Sequence, residues 1–346
     1  MAEEAAEVKE KSDNPPGVAL DVGTMFCLSA RKKDGKFQLK KLRNVFLDLD
    51  SSAKKSLKLS KVNFIDKGDS VVLLGDDALA IANLFNQEVR RPLNKGVVSP
   101  SELDAVDILT TIFSQLLGKR RGENEPCYYS VPANPLDSTY NVIYHQAVIG
   151  RIITGLGFAA NAMNEGQAVV YSNCSKEDFS GIGISFGAGM TNACLCWKSL
   201  SAMEFSVARG GDWIDSNSSH STATTASRIA AVKEKGVNLL DWTQGDPKEA
   251  RYREAIAVHY KSLILYVLDN FVREFKKVQQ AINLPESIPI VISGGTSCAP
   301  GFVDLFKEAL DSFHGFPVQI SEVRHATNPI GAVAEGLLVA ALGETA

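Results

Sequence analysis

Three stretches of the chain share one plan: an apolar strand that runs straight into a glycine turn. They are GVALDVGTMFCLSA at residues 17–30, GIGISFGAGMTNACLCW at 181–197 and IPIVISGGTS at 288–297. Runs that are apolar on both faces belong in the middle of a covered sheet, which points to an α/β fold. Glycine at their ends lets backbone amides approach a ligand with no Cβ in the way. The first stretch also carries a lone acid, Asp21, in mid-strand. A buried, unpaired carboxylate is strongly unfavourable, so Asp21 needs a partner that the strand does not supply. One reading is a surface hairpin with Asp-Val-Gly-Thr as its turn. The other is a tight turn that brings amides to an anion and a carboxylate to its metal.

The first two stretches continue as strand–turn–strand units about 160 residues apart, and each is followed by further strands and helices. This predicts a duplicated architecture of two lobes with a cleft between them. The expected layout is a disordered tail over 1–16, a first lobe over 17–164 with a small inserted subdomain around 47–90, and a second lobe over 165–346. A C-terminal helix over 328–342, capped by Asn328, returns to the first lobe. Helices are predicted at 101–118, with Leu103, Val106, Leu109 and Phe113 on one face, at 137–156, 222–235, 247–282 and 300–313. Asn164-Glu165-Gly166-Gln167 reads as another helix start.

The 346 residues are 45% apolar and 22% charged with a net charge of −4, which offers no overall basic footprint for nucleic acid. No run of about 18 apolar residues predicts a membrane span. MAEEAAEVKEKSDNPP lacks the apolar centre of a signal peptide, so a cytoplasmic location is the default. The six cysteines form no C-x-x-C pair, and no histidine lies within twenty residues of Cys194 and Cys196, so buried structural thiols are expected.

Taken together, the motifs resemble the actin, heat-shock-chaperone and sugar-kinase ATPase superfamily. ALDVGT is similar to its first phosphate loop, ISFGAGMTN to its second, IPIVISGGTSCAPGF to its adenosine loop and NPIGAVAEGLLVA to its second connecting helix. RRPLNKGVVS, YYSVPAN, NEGQAVVYS, SVARGGDWID and AVKEKG resemble, in order, segments of bacterial actins of the MreB and MamK type. The resemblance implies an actin-like fold with ATP (or GTP) and Mg²⁺ in the interlobe cleft. It implies that Asp21 holds Mg²⁺ through water, that Gly23 and Thr24 face the β- and γ-phosphates, and that Gly187, Ala188 and Gly189 bind phosphate. Gly211 and Lys233 approach the adenosine, and Gly294, Gly295 and Thr296 line its pocket. Glu165 orients the attacking water, with Gln167 as the alternative. A homopolymer built head to tail follows by the same resemblance, with an unidentified cargo or adaptor; the alternative is a non-filamentous ATP-binding regulator or chaperone-like ATPase.

Two departures qualify that picture. The aspartate that opens the second phosphate loop is replaced by Ser185, which implies slow hydrolysis, and Gly166 replaces a proline, which implies a looser helix start. The span between Lys233 and Val291 holds little beyond one long helical run, so the small subdomain that caps the nucleotide should be reduced. Exposed apolar residues in the segments 83–86 and 312–316, Phe85 and Phe316 foremost, are the expected filament contacts.

Overall fold

The computed structural model describes residues 14–345 apart from 61, 63, 86, 283, 285 and 314. The predicted tail over 1–16 therefore lies outside the described residues up to position 13, as do positions 86 and 314 of the two apolar segments. Strands β1 (Val18–Val22), β2 (Phe26–Lys33) and β3 (Lys36–Arg43) form an antiparallel meander, closed between β2 and β3 by Asp34 and Gly35 at φ 51° and 75°. A small antiparallel sheet follows, made of β4 (Phe46–Asp50), β5 (Phe64–Asp66) and β6 (Ser70–Leu74), with helices α1 (Lys54–Leu59) and α2 (Gly75–Leu84). The hairpin β7 (Leu93–Asn94) and β8 (Val97–Val98) leads to α3 (Ala105–Leu117), β9 (Pro126–Val131), α4 (Val142–Gly155) and β10 (Ala159–Asn164).

The second half repeats the scheme. Helix α5 (Glu165–Asn173) leads into the meander β11 (Gly181–Phe186), β12 (Thr191–Trp197) and β13 (Leu200–Val207). Then come α6 (Gly211–Thr222), α7 (Ala226–Glu234), α8 (Ala250–Val278), β14 (Ile288–Ser293), α9 (Phe302–Asp311), β15 (Ile320–His325) and α10 (Ala332–Glu344). The two five-stranded sheets run β10-β9-β1-β2-β3 and β15-β14-β11-β12-β13, the same order with the same parallel and antiparallel pairings. Between β13 and β14 the described residues are helical or irregular, so the capping region is reduced to α6, α7 and the loop before α8.

Helices α5 and α10 cross between the sheets and carry a core of small residues. A Cβ on Gly336 of α10 would collide with the Ala168 carbonyl of α5, well inside the 3.0 Å that real Cβ atoms respect. Gly166 is required for the same reason. Its Cβ would lie 2.6 Å from the Cys194 amide and 2.8 Å from the Gly183 carbonyl. The expectation of a loose helix start is thus overturned: Asn164 Oδ1 accepts from the amides of Gly166 (2.8 Å) and Gln167 (3.3 Å), and the glycine lets α5 lie against the sheet.

Other expectations need correction. Leu103 precedes α3 and is 94% exposed, and Val106 is exposed too, because the buried face is carried by Ile108, Leu109, Ile112 and Phe113. Asn328 stands one turn before α10, whose N-cap is Gly331; it accepts from the Gly331 amide and donates to Glu335. Phe316 stacks on Phe271 with ring centroids 5.1 Å apart and packs with Phe313 on the second lobe's core, whereas Leu84 and Phe85 are exposed. Only the first apolar segment remains available as a contact surface. Helix α8 has a stretch apolar enough on average to span a bilayer, but its apolar side, Tyr260, Leu263, Val267 and Phe271 among others, is core. Cys194 and Cys196 share a face, sulfurs 3.5 Å apart and buried, and no metal-holding cluster of three or more His, Cys, Asp or Glu exists among the described residues.

Candidate functional site

The three glycine turns meet where the two sheets face each other. In the first, the Gly23 amide donates to the Phe26 carbonyl (3.1 Å), and a Cβ on Gly23 would sit 2.5 Å from that oxygen. Buried Asn44 fixes the turn by donating from Nδ2 to the Gly23 carbonyl (3.0 Å). At the strand end, Ser130 of β9 accepts from the Val22 amide (2.7 Å) and donates to the Asp21 carboxyl group (2.9 Å). Burial raises the Asp21 pKa above the usual carboxylate range, and the Ser130 hydrogen bond pulls it partly back.

The second turn is held by its carbonyls. The Gly187 oxygen accepts from the Gly211 amide (3.0 Å) and from Thr296 Oγ1 (2.8 Å), and the Ala188 oxygen accepts from the Asp212 amide (2.9 Å). Gly210 must be glycine here, because its Cβ would lie 2.5 Å from the Gly187 oxygen. With the carbonyls engaged, the amides of Ala188 and Gly189 have no acceptor among the described residues, and neither have those of Thr24 and Gly295. Unpaired amides of successive residues in a turn form an anion-binding concavity.

Gly294, at φ 91°, ends β14 so close to the Phe186 backbone that any Cβ would clash, while a Cβ on Gly295 would meet nothing within 4 Å. That opening next to Thr296 is bounded on the α6–α7 side by Lys233. Its ammonium donates to the Gly211 carbonyl (3.0 Å) and pairs with Asp215 (2.7 Å). Asp215 Oδ1 is buried without a partner, and burial pushes the Asp215 carboxyl up to about 6 against the pull of Lys233.

Glu165, the first residue of α5, faces Asp21 from the other side of the cleft. Burial, and then the charge of Asp21, raise its pKa well above the usual range, while Ser185 and Asn192 draw it down. No cation offsets this pair among the described residues. Gln167 is directed elsewhere, donating to the Ser199 carbonyl (3.1 Å), so geometry brings Glu165 and not Gln167 to the cleft. Ser185 thus stands beside Glu165, where a second carboxylate would have added to the repulsion.

Four side chains of this site were not singled out by sequence. Ser130 secures Asp21. Asn192 accepts from the Ala133 amide (3.1 Å) of the facing half while its side chain borders Glu165. Asp215 holds Lys233. Arg91 of RRPLNKGVVS pairs with Asp212 (2.9 Å), tying the β7 approach to α6. The β7–β8 turn closes the phosphate-loop end: the Gly96 amide donates to Thr24 Oγ1 (3.0 Å), and a Cβ on Gly189 would sit 2.5 Å from that oxygen. Asn192 and Ser130 could have been noticed as polar residues within apolar strands.

Similarity to solved structures agrees with this arrangement. MamK in its double helical filament superposes with a TM-score of 0.67 at 17% identity, covering 94% of this chain and 98% of that one. MreB5 of Spiroplasma citri bound to ADP gives 0.61 at 14% identity, covering 94% and 95%. The ethanolamine utilization protein EutJ from Carboxydothermus hydrogenoformans gives 0.52 at 14% identity, covering 96% and 92%. At such identities the likeness establishes the fold, which is actin-like. No curated protein matches in sequence. The Volactin family model matches residues 17–341, and the chain belongs to that family.

Proposed function

We propose that this chain is an actin-like protein that binds ATP or GTP with Mg²⁺ between its lobes, polymerises head to tail in the cytoplasm and hydrolyses nucleotide slowly. The carrying observation is that the amides of Thr24, Ala188 and Gly189, in turns that touch each other, have no acceptor among the described residues, while the buried Asp21–Glu165 pair has no basic partner among them. The residues fit the group: an anion-accepting cradle, and a carboxylate oxygen donor for a hard cation that takes its other ligands from water and phosphate. Magnesium, when bound, neutralises charge on the phosphate oxygens. Asp21, oriented by Ser130, would hold it. Thr24, Ala188 and Gly189 bind phosphate through their amides, Gly23 and Gly187 shape the turns because their own amides are spent on the Phe26 and Met190 carbonyls, and Gly211, Gly294, Gly295, Thr296 and Lys233 surround the nucleoside.

In this reading Glu165, at the start of α5 and facing Asp21, aims water at the phosphate chain. Ser185 supplies one hydroxyl where the resemblance expects a carboxylate, and slow turnover follows. Nucleotide binding is supported by neighbours solved with ADP and AMPPNP, and assembly by the MamK filament. Head-to-tail contacts between identical copies do not close, so they build filaments. Calorimetry with ATP and GTP, with and without Mg²⁺, tests the binding on the parent and on Asp21→Ala. Equal affinity under all conditions refutes the site. Sedimentation after nucleotide addition tests assembly, and a parent that never pellets favours the non-filamentous regulator.

A further inference from the structure

The two five-stranded sheets share one topology, but their meander edges are treated differently. In the second sheet the edge strand β13 is covered by the segment before α4. There the Leu136 amide donates to the Ser206 carbonyl (2.9 Å), and the Ser206 amide donates to the Asn134 carbonyl (3.4 Å). Its counterpart in the first sheet is β3, and no strand or loop pairs with the outer edge of β3 among the described residues. The two-residue turn at Asp34 and Gly35 makes Lys33 and Lys36 the first hydrogen-bonded pair of the β2–β3 hairpin. Alternation then aims the N–H and C=O groups of Gln38 and Lys40 at β2. The Asn44 amide, which donates to the Met25 carbonyl (2.8 Å), keeps the same phase. Phe37, Leu39 and Lys41 therefore direct theirs outward, and no backbone partner meets them among the described residues. Such a row of free groups is a template for another strand.

The two faces of this edge differ in chemistry. Lys36, Gln38 and Lys40 lie on the α3 side, where Gln38 and Lys40 join Lys119 and Arg121 in lining a groove of about 180 Å³. Lys36, Lys40 and Lys119 are exposed and have no ion-pair partner among the described residues, whereas Arg43, Lys54 and Lys67 are paired with Asp76, Asp66 and Asp104. On the opposite side Phe37 is 46% exposed, and Leu39 is only partly buried against the small-residue core around α10.

We propose that β3 receives an extended acidic peptide of a partner protein, added as a sixth strand of the first sheet. Neighbouring strands share their faces, so the fitting peptide alternates acidic and apolar residues. Its carboxylates meet Lys36, Lys40 and Lys119, and its apolar side chains meet Phe37 and Leu39. Edge lysines deter strands that bring no carboxylates, and β3 of a second copy would set lysine beside lysine. The observations that carry this are an open edge whose counterpart is closed and the unpaired charge along it. It stands apart from the nucleotide reading.

Fluorescence anisotropy on the full chain, with a labelled peptide of alternating glutamate and valine, tests the proposal. Saturable binding is expected, about ten-fold tighter than for an alternating lysine and valine peptide or for the same glutamates and valines in two blocks. It should fall several-fold between about 50 mM and about 500 mM salt as screening shortens. Lys36→Gln with Lys40→Gln should weaken it several-fold at an unchanged melting temperature. N-methylation of alternate peptide residues removes donors from one edge only, so one methylated series should keep binding and the other lose it. Amide exchange followed by NMR should slow at Phe37, Leu39 and Lys41 when the peptide is bound. Equal binding of the block peptide, binding by both methylated series or by neither, or no protection at those three amides overturns strand addition. No saturable binding overturns the proposal outright. A peptide with the sequence of β3, KFQLKKLR, that binds in place of the acidic one assigns the edge to a second copy and overturns it too.

Discussion

Gly336→Ala tests whether the crossing of α5 and α10 is built as described. The new methyl group would collide with the Ala168 carbonyl, so the helices must part by more than 1 Å to restore permitted contact. Overpacking of this kind costs about 1–3 kcal/mol, because neither partner is the free end of a flexible side chain. Alanine recovers up to about 1 kcal/mol of helix propensity. With the full recovery the net loss is up to about 2 kcal/mol, a fall in melting temperature of up to roughly 4–8 °C for a domain of this size class. Gly343→Ala is the control in the same helix, since a Cβ there would meet nothing within 4 Å; it should leave stability unchanged or raise it slightly. Differential scanning fluorimetry, with calorimetric confirmation, reads both. If Gly336→Ala melts at or above the parent, the helices do not cross as closely as described, and the account of the small-residue seam fails.

Other outcomes follow from the same geometry. Ser185→Asp should raise the rate of phosphate release, by up to about 10²-fold if one oriented group is restored; a parent already as fast as active ATPases refutes the assignment. Phe85→Asp should weaken nucleotide-dependent pelleting at unchanged melting temperature, whereas Phe316→Asp should lower the melting temperature, because Phe316 is stacked on Phe271. His145 is buried, accepts from the Val98 amide (3.1 Å), and has its pKa pushed down to about 4 by burial. The folded state then binds fewer protons than the unfolded state between about 4 and 6.5, so stability is full above that window and falls as pH drops through it. The loss approaches about 3 kcal/mol at its lower end, and His145→Asn should flatten that part of the profile in chemical denaturation.

Much of the frame was legible because strands buried on both faces announce themselves. The apolar run of IPIVISGGTS is strand β14, Ile288–Ser293, and all three glycine turns arrive at one cleft. Helix α6 was not legible. DWIDSNSSHST has weak helix propensity and no apolar periodicity, and it is helical because its first amides cap the second turn's carbonyls. Its hydroxyls fold back on the backbone, as Thr222 does on the Ser218 carbonyl (2.6 Å). Ser130 was hidden because its role depends on Asp21, 109 residues away in sequence. Phe316 was expected at a filament contact, and the packing of α8 beneath it makes it core. Local pattern carries strand identity; it carries no register between distant elements.

The duplicated sheets explain why the site is built from backbone more than from side chains. Each half offers a hairpin turn at the end of its first strand, and matching topology brings the two turns face to face. Asp21 and Glu165 are the acids added to that symmetric frame, and each disfavours the charged form of the other. A cation held at Asp21 would offset that repulsion and favour the charged form of both carboxylates. The Thr24, Gly96 and Gly189 contact lies at the same end of the cleft, and the α5–α10 crossing joins the two halves. Helix α5 carries both Glu165 and Ala168, so a shift at the α5–α10 crossing would reach the proposed binding site. A variant that opens the seam, such as Gly336→Ala, should then lose nucleotide affinity as well as stability, although residue 336 touches none of the proposed binding groups. Unchanged affinity in a destabilised Gly336→Ala protein would separate the two and show that the turns bind without help from the seam.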